Sequence, residues 1–120
     1  MTDMEQKTNP VLKDTVQQCE EAGRRNDAAV WRRVAEELAG PTRDMREVDL
    51  STIERNTGDG DTVVVPGVVT GDGLLTSDVT VAAFRFTGSA RDRIEDAGEA
   101  VYIDDLVADN PDGSGVVLLG

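Results

Sequence analysis

Thr62–Gly88, TVVVPGVVTGDGLLTSDVTVAAFRFTG, is the stretch on which the fold turns. It is the longest segment that is both apolar and nearly free of charge. Only Asp72, Asp78 and Arg85 within it ionise. Val63–Val65 form one β-branched block and Val79–Phe86 a second. Continuous apolar runs, unlike strict alternation, suit strands covered on both faces. Pro66-Gly67 is expected to break the first block, and Gly71-Asp72-Gly73 to supply a tight turn before Leu74-Leu75. A buried β core is therefore predicted here.

On the amino-terminal side, Asn9 can cap a helix with Pro10 in its first position. Leu12, Thr15, Val16, Cys19 and Ala22 recur at helical spacing, and Gly23 stands where a left-handed cap belongs. Cys19 lies on that apolar stripe and reads as core packing. Asp27 is expected to cap a second helix, Ala28 to Ala39, closed by Gly40-Pro41. Its buried stripe is Trp31, Val34, Ala35 and Leu38; Arg32, Arg33, Glu36 and Glu37 can pair at i,i+4 on the opposite face. Pro41 to Val48 reads as a polar connector. A short helix follows, capped by Asp49 or Ser51, with Leu50 and Ile53 inward. Thr57-Gly58-Asp59-Gly60-Asp61 misses the spacing of a calcium loop, and its aspartates would repel phosphate, so turn chemistry explains it.

Beyond Gly88, Ser89 is expected to cap a helix with Ala90, Ile94 and Ala97 inward and Gly98 closing it. Val101–Ile103 reads as a strand, Asp104 starts a further helix ended by Asn110-Pro111, and Val116–Leu119 is a last strand. Strand, helix, strand, helix, strand in the second half predicts α/β packing behind a helical first half.

One domain suffices for 120 residues. No run approaches a membrane span, and the polar start MTDMEQKTNP is not a signal peptide, so a cytoplasmic location is expected. A single cysteine excludes an internal disulfide. The absence of histidine removes the usual general base, the usual zinc ligand and any Ser-His or Cys-His pair. A carboxylate pair such as Glu99 and Asp104 is the remaining route to catalysis. It is the least favoured one, and no cofactor, metal or small-molecule substrate is implied.

The net charge of -12 arises from 24 acidic and 12 basic residues. Fifteen of the acids are Asp, and Lys7 and Lys13 are the only lysines. Such a surface repels nucleic acid at ordinary ionic strength. Abundant Asp with scarce Lys points to adaptation to molar salt, where the Debye length of about 3 Å screens the self-repulsion. The charge is unevenly spread. Residues 1–56 hold nine bases against 12 acids, whereas residues 57–120 hold Arg85, Arg91 and Arg93 against 12 acids. A negatively charged partner would meet the first half.

A series of short motifs runs through most of the chain. It comprises Lys7-Thr8-Asn9-Pro10, Ala29-Val30-Trp31, Val34-Ala35, Glu47-Val48, Leu50, and Ile53-Glu54-Arg55. Val63-Val64-Val65-Pro66-Gly67, Gly71, Gly73, Leu75, Val79-Thr80-Val81-Ala82-Ala83 and Phe86 continue it. Ala90, Ile94, Gly98, and Asn110-Pro111 with Gly113-Ser114 complete it. In this order the chain resembles the archaeal and eukaryotic large-subunit ribosomal protein eighteen family, related to bacterial large-subunit protein fifteen. The resemblance implies a non-catalytic structural protein that scaffolds ribosomal RNA beside neighbouring ribosomal proteins, with an irregular superhelix of β-β-α turns. The expected fold class is thus α/β, a helical first half (1–56, RNA-facing) followed by a small β-β-α superhelix-like body (57–120).

Contacts to ribosomal RNA are expected from Lys7, Asn9, Lys13, Arg24, Arg25, Arg43, Arg46 and Arg55, together with Arg85. Arg32 and Arg33 rank lower because Glu36 and Glu37 can occupy them. Arg91 and Arg93 are expected to matter less, being surrounded by Asp92, Glu95 and Asp96. The chain departs from the family in carrying Val68 after Val-Pro-Gly, Thr42-Arg43 in place of a basic pair, and an uncharged Val116–Leu119. An alternative is therefore a diverged paralogue, a conditional ribosome-associated or protein-interaction and regulatory module.

Overall fold

The computed structural model describes residues 8–40 and 46–119. Five helices and five strands fall within them: α1 (Thr8–Asn26), α2 (Ala29–Ala39), β1 (Arg46–Asp49), α3 (Leu50–Asn56), β2 (Thr62–Thr70), β3 (Thr80–Phe86), α4 (Gly88–Ala97), β4 (Glu99–Tyr102), α5 (Ile103–Asp109) and β5 (Val116–Leu118). Every strand pairing is parallel, in the order β1-β2-β3-β4 with β5 also on β2. The fold is mixed α/β.

Two cores explain why the central strands carry unbroken apolar runs. Val64, Ala82 and Phe84 meet Trp31, Val34, Ala35 and Leu38 of α2, Cys19 and Ala22 of α1, and Ile103, Leu106 and Val107 of α5. Val63, Val65, Val69, Val81 and Ala83 meet Leu50 and Ile53 of α3 and Ala90 and Ile94 of α4. Successive β residues point to opposite faces, so a sheet covered on both sides needs apolar residues at nearly every position. Helices α1, α2 and α5 cover one face, and α3 and α4 the other.

The outer edge of β2 is shared end to end. β5 pairs with Thr62–Val64 and β1 with Gly67–Thr70. Between them the β2–β3 register shifts at Val65/Val68. The expected break at Pro66-Gly67 is therefore an irregularity inside a single strand: a bulge tolerates the N–H that Pro66 lacks. Gly67 fits because a Cβ there would lie 2.2 Å from the carbonyl oxygen of Arg46. The connector expected from Pro41 to Val48 likewise gives way to β1 from Arg46 onward.

Residues 71–79 cross from β2 to β3 without a helix, burying Leu75 and Val79 and leaving Leu74 exposed. Parallel strands usually need a longer crossover. Here the loop is tied down along its length. The Asp72 carbonyl accepts from the amides of Leu50 and Ser51 at 2.9 and 3.2 Å, satisfying the start of α3. Glu54 accepts from the amide and hydroxyl of Thr76 at 2.9 and 2.6 Å. The Gly58–Asp61 segment behaves as turn chemistry: Asp61 accepts from the Gly58 amide and Asp59 from the Asp78 amide.

Several element ends differ from expectation. α1 passes through Gly23 to Asn26, and Asn9 lies inside its first turn. Asp27 adopts a positive φ of 51° in the bend between helices, so Ala28 takes the N-cap of α2. Asp49 caps α3 as expected, accepting from the Thr52 amide, while Thr87 and not Ser89 caps α4. Cys19 is fully buried, as its stripe predicts.

Candidate nucleic-acid interface

The last turn of α1 carries Arg24 and Arg25, cations that complement the carbonyl end of the helix. Both are exposed; Arg25 reaches Glu21 at 3.2 Å, a surface pair of little energetic weight. Arg32 folds back onto this turn. Its Nη1 donates to the Gly23 carbonyl at 2.9 Å and to Asp27 Oδ1 at 3.2 Å. The expected Arg32–Glu36 pair is therefore replaced by a tie between α1 and α2. A Cβ on Gly23 would lie 2.5 Å from Arg32 Cγ, so the glycine serves the close approach of the helices, not a cap.

At the other end of α2, Glu37 receives two guanidinium groups. Arg33 Nε lies at 3.4 Å and Arg46 Nε at 3.1 Å. The hydrogen bond from Arg46, followed by that from Arg33, holds the Glu37 carboxyl below the usual carboxylate range. The two arginines stay 59% and 46% exposed while Glu37 is 23% exposed, so the cluster presents cations outward over a sheltered anion. Arg46 pairs in register with Gly67, and Val68 with Arg85. Arg46 on β1 and Arg85 on β3 thus stand on the two strands that flank the carboxyl half of β2.

The remaining cations stand apart. Lys13 is exposed on α1. Arg55 ends α3, on the opposite side of the sheet, with Nη2 at 3.4 Å from Thr52 Oγ1. Lys7 and Arg43 lie outside the described residues, as does the Asn9 side chain. Arg91 and Arg93, both discounted from the sequence, have structural work. Arg91 donates to the Tyr102 hydroxyl at 2.9 Å and stacks 5.3 Å from its ring, which in turn meets Phe86 edge-on. Arg93 donates to the carbonyls of Gly71 and Gly73 at 2.8 and 3.2 Å.

Sequence spacing points to Arg33–Glu37 but misses Arg46 as the second partner of Glu37, because the strand that delivers Arg46 is only four charged-to-apolar residues long. Glu99 opens β4, whereas Asp104 lies in the first turn of α5 beyond the strand's other end. Among the described residues no group of three His, Cys, Asp or Glu side chains is arranged to hold a metal ion.

These features define a small α/β protein with a parallel sheet between helices and an arginine cluster on its α2 side. The chain belongs to the family described as ribosomal protein 60S L18 and 50S L18e, whose model matches residues 3–120. It is 46% identical over 110 residues to the large ribosomal subunit protein eL18 of Haloarcula marismortui, covering 92% of this chain and 95% of the relative. It is 42% identical over 120 residues to the protein of that name from Methanoregula boonei, covering 99% of each. The Halobacterium salinarum protein is 44% identical over 111 residues, covering 92% and 95%.

Proposed function

We propose that the protein is a structural constituent of the large ribosomal subunit that binds and scaffolds ribosomal RNA in the cytoplasm of a salt-adapted archaeon. Family membership across residues 3–120 is the observation that carries this. The alternative of a diverged, conditionally attached paralogue gains no support from relatives that match 92–99% of the chain. In this reading residues 1–120 form one ribosomal-protein domain, with 1–56 facing RNA and 57–120 forming the body. The order β2, β3, α4 in the body agrees with a β-β-α unit. Neighbouring ribosomal proteins are the other partners, and no catalytic step is assigned.

The Arg33–Glu37–Arg46 cluster supports placing RNA on the α2 side. Guanidinium groups bind phosphate oxygens in pairs at short range. At molar salt counterion release adds little affinity, so such contacts and surface fit must dominate. Ten arginines against two lysines suit that regime.

A sucrose gradient at native salt tests the assignment: one copy of the protein per large subunit is expected. Replacing Arg43 and Arg46 together with Gln should weaken that association and leave the fold intact. Absence from the large-subunit peak would refute the assignment.

A further inference from the structure

Arg85 differs from the other arginines of the body. Arg91 and Arg93 find acceptors within the protein, whereas the Nε of Arg85 is buried and has no hydrogen-bond partner among the described residues. An uncompensated donor on a charged group is costly, so its persistence calls for an explanation. The rest of the residue is only partly buried. Val68, its neighbour across the β2–β3 register, offers no side-chain acceptor. Glu47, next in the same row, is two strand spacings away, about 10 Å. Arg46 approaches the same part of β2 from the other edge.

We infer that Arg85 anchors a backbone phosphate of ribosomal RNA, turning the Nε edge of its guanidinium outward when RNA docks at the carboxyl end of β3. The Nε–H and one Nη–H form a parallel pair that matches two phosphate oxygens, which a lysine cannot reproduce. The contact satisfies the donor that the free protein leaves without a partner. RNA therefore gains more from Arg85 than from a guanidinium already bound to water. This inference rests on the ribosomal reading above and extends the RNA face onto β3 of the body.

Binding of the full chain to large-subunit ribosomal RNA, measured across a potassium chloride series, tests it with R85Q and R85K. R85Q should bind roughly ten-fold more weakly, with the slope of log affinity against log salt reduced by about one. Its melting temperature without RNA should equal or exceed that of the parent, because an unsatisfied donor is removed. R85K should keep much of the salt slope but lose affinity, having a charge without the fork. Excess inorganic phosphate should leave the melting temperature of the free protein unchanged. Equal binding by parent and R85Q at every salt would overturn the inference while leaving the ribosomal assignment standing. A large fall in R85Q stability would also overturn it, by showing a purely structural role, as would stabilisation by inorganic phosphate that R85Q abolishes without loss of RNA binding. Failure of the parent chain to bind the RNA at all would instead count against the ribosomal assignment itself.

Discussion

Trp31 Nε1 donates to the carbonyl of Asn110 at 2.9 Å, joining the first turn of α2 to the residue that ends α5. The fully buried indole thereby fastens the amino-terminal helices to the last helix of the body. Trp31→Phe keeps most of the apolar surface but removes the donor, and should cost about 1–2 kcal/mol. Trp31→Ala should cost about 3–5 kcal/mol, enough to threaten folding. Thermal unfolding in molar potassium chloride measures both. A Phe variant as stable as the parent would show that the bond adds nothing.

Gly67 should tolerate no side chain. The atoms facing a Cβ there are the backbone of Arg46, at 2.2 to 3.0 Å, and backbone cannot rotate away as a side chain does. Gly67→Ala is expected to displace β1 and destabilise by about 2 kcal/mol or more. Gly58→Ala, with open space around the added carbon, should stay within about 0.5 kcal/mol. Denaturant titration of the two variants separates a steric effect from a general intolerance of alanine for glycine.

Legibility in the sequence followed the range over which each signal acts. The α2 stripe of Trp31, Val34, Ala35 and Leu38 is buried as its spacing requires, since a single helix face suffices to specify it. Pro66-Gly67 looked like a break because proline removes a ladder donor; only the bulge opposite β3 shows how the strand continues. The i,i+4 spacing offers Glu36 to Arg32, but the approach of α1 supplies the Gly23 carbonyl instead. The meeting of Arg33 and Arg46 at Glu37 depends on where β1 is delivered beside α2, to which local spacing is blind.

Acid should weaken the fold partly through Glu37. Its carboxyl is held below the ordinary range by Arg46 and Arg33, as Asp49 is by Thr52 and Glu54 by Thr76. A carboxyl with a depressed folded value stabilises above the ordinary carboxylate range. That contribution is lost as pH falls through the folded value. Unfolding midpoints taken at fixed molar salt should therefore drop on acidification, and Glu37→Gln should flatten the drop without abolishing it. Superimposable pH curves for parent and variant would exclude Glu37 as a contributor.

The Cys19 thiol should be inert. Burial, then the carboxylates of Asp104 and Glu20, push its pKa to about 12, so the nucleophilic thiolate is scarce at neutral pH. A disulfide reagent should label the native protein slowly and the denatured protein at once. Cys19→Ala should lower stability by about 1 kcal/mol and leave ribosome association unchanged. Rapid labelling of the folded chain would mean that α1 detaches readily from α5.

Dilute buffer should unfold the isolated protein. Twenty-four acidic residues against 12 basic ones repel strongly when unscreened, on a scale comparable with the marginal stability of a domain. Circular dichroism in dilute buffer and in molar potassium chloride compares the two states. Equal stability in both would remove the case for salt adaptation.

The outer edge of β2 also governs the order of folding. Val64 takes Ala82 on one side and Leu118 on the other, so its two neighbours arrive from very different distances along the chain. Loop closure must precede any reward from such remote pairing, which slows the search. The β2–β3 contact can form early, whereas the β5 contact must wait for a segment more than fifty residues downstream. Until then the backbone of Thr62–Val64 stays open to any extended strand nearby. A newly made chain is therefore most exposed to mispairing in the interval before Val116–Leu118 docks.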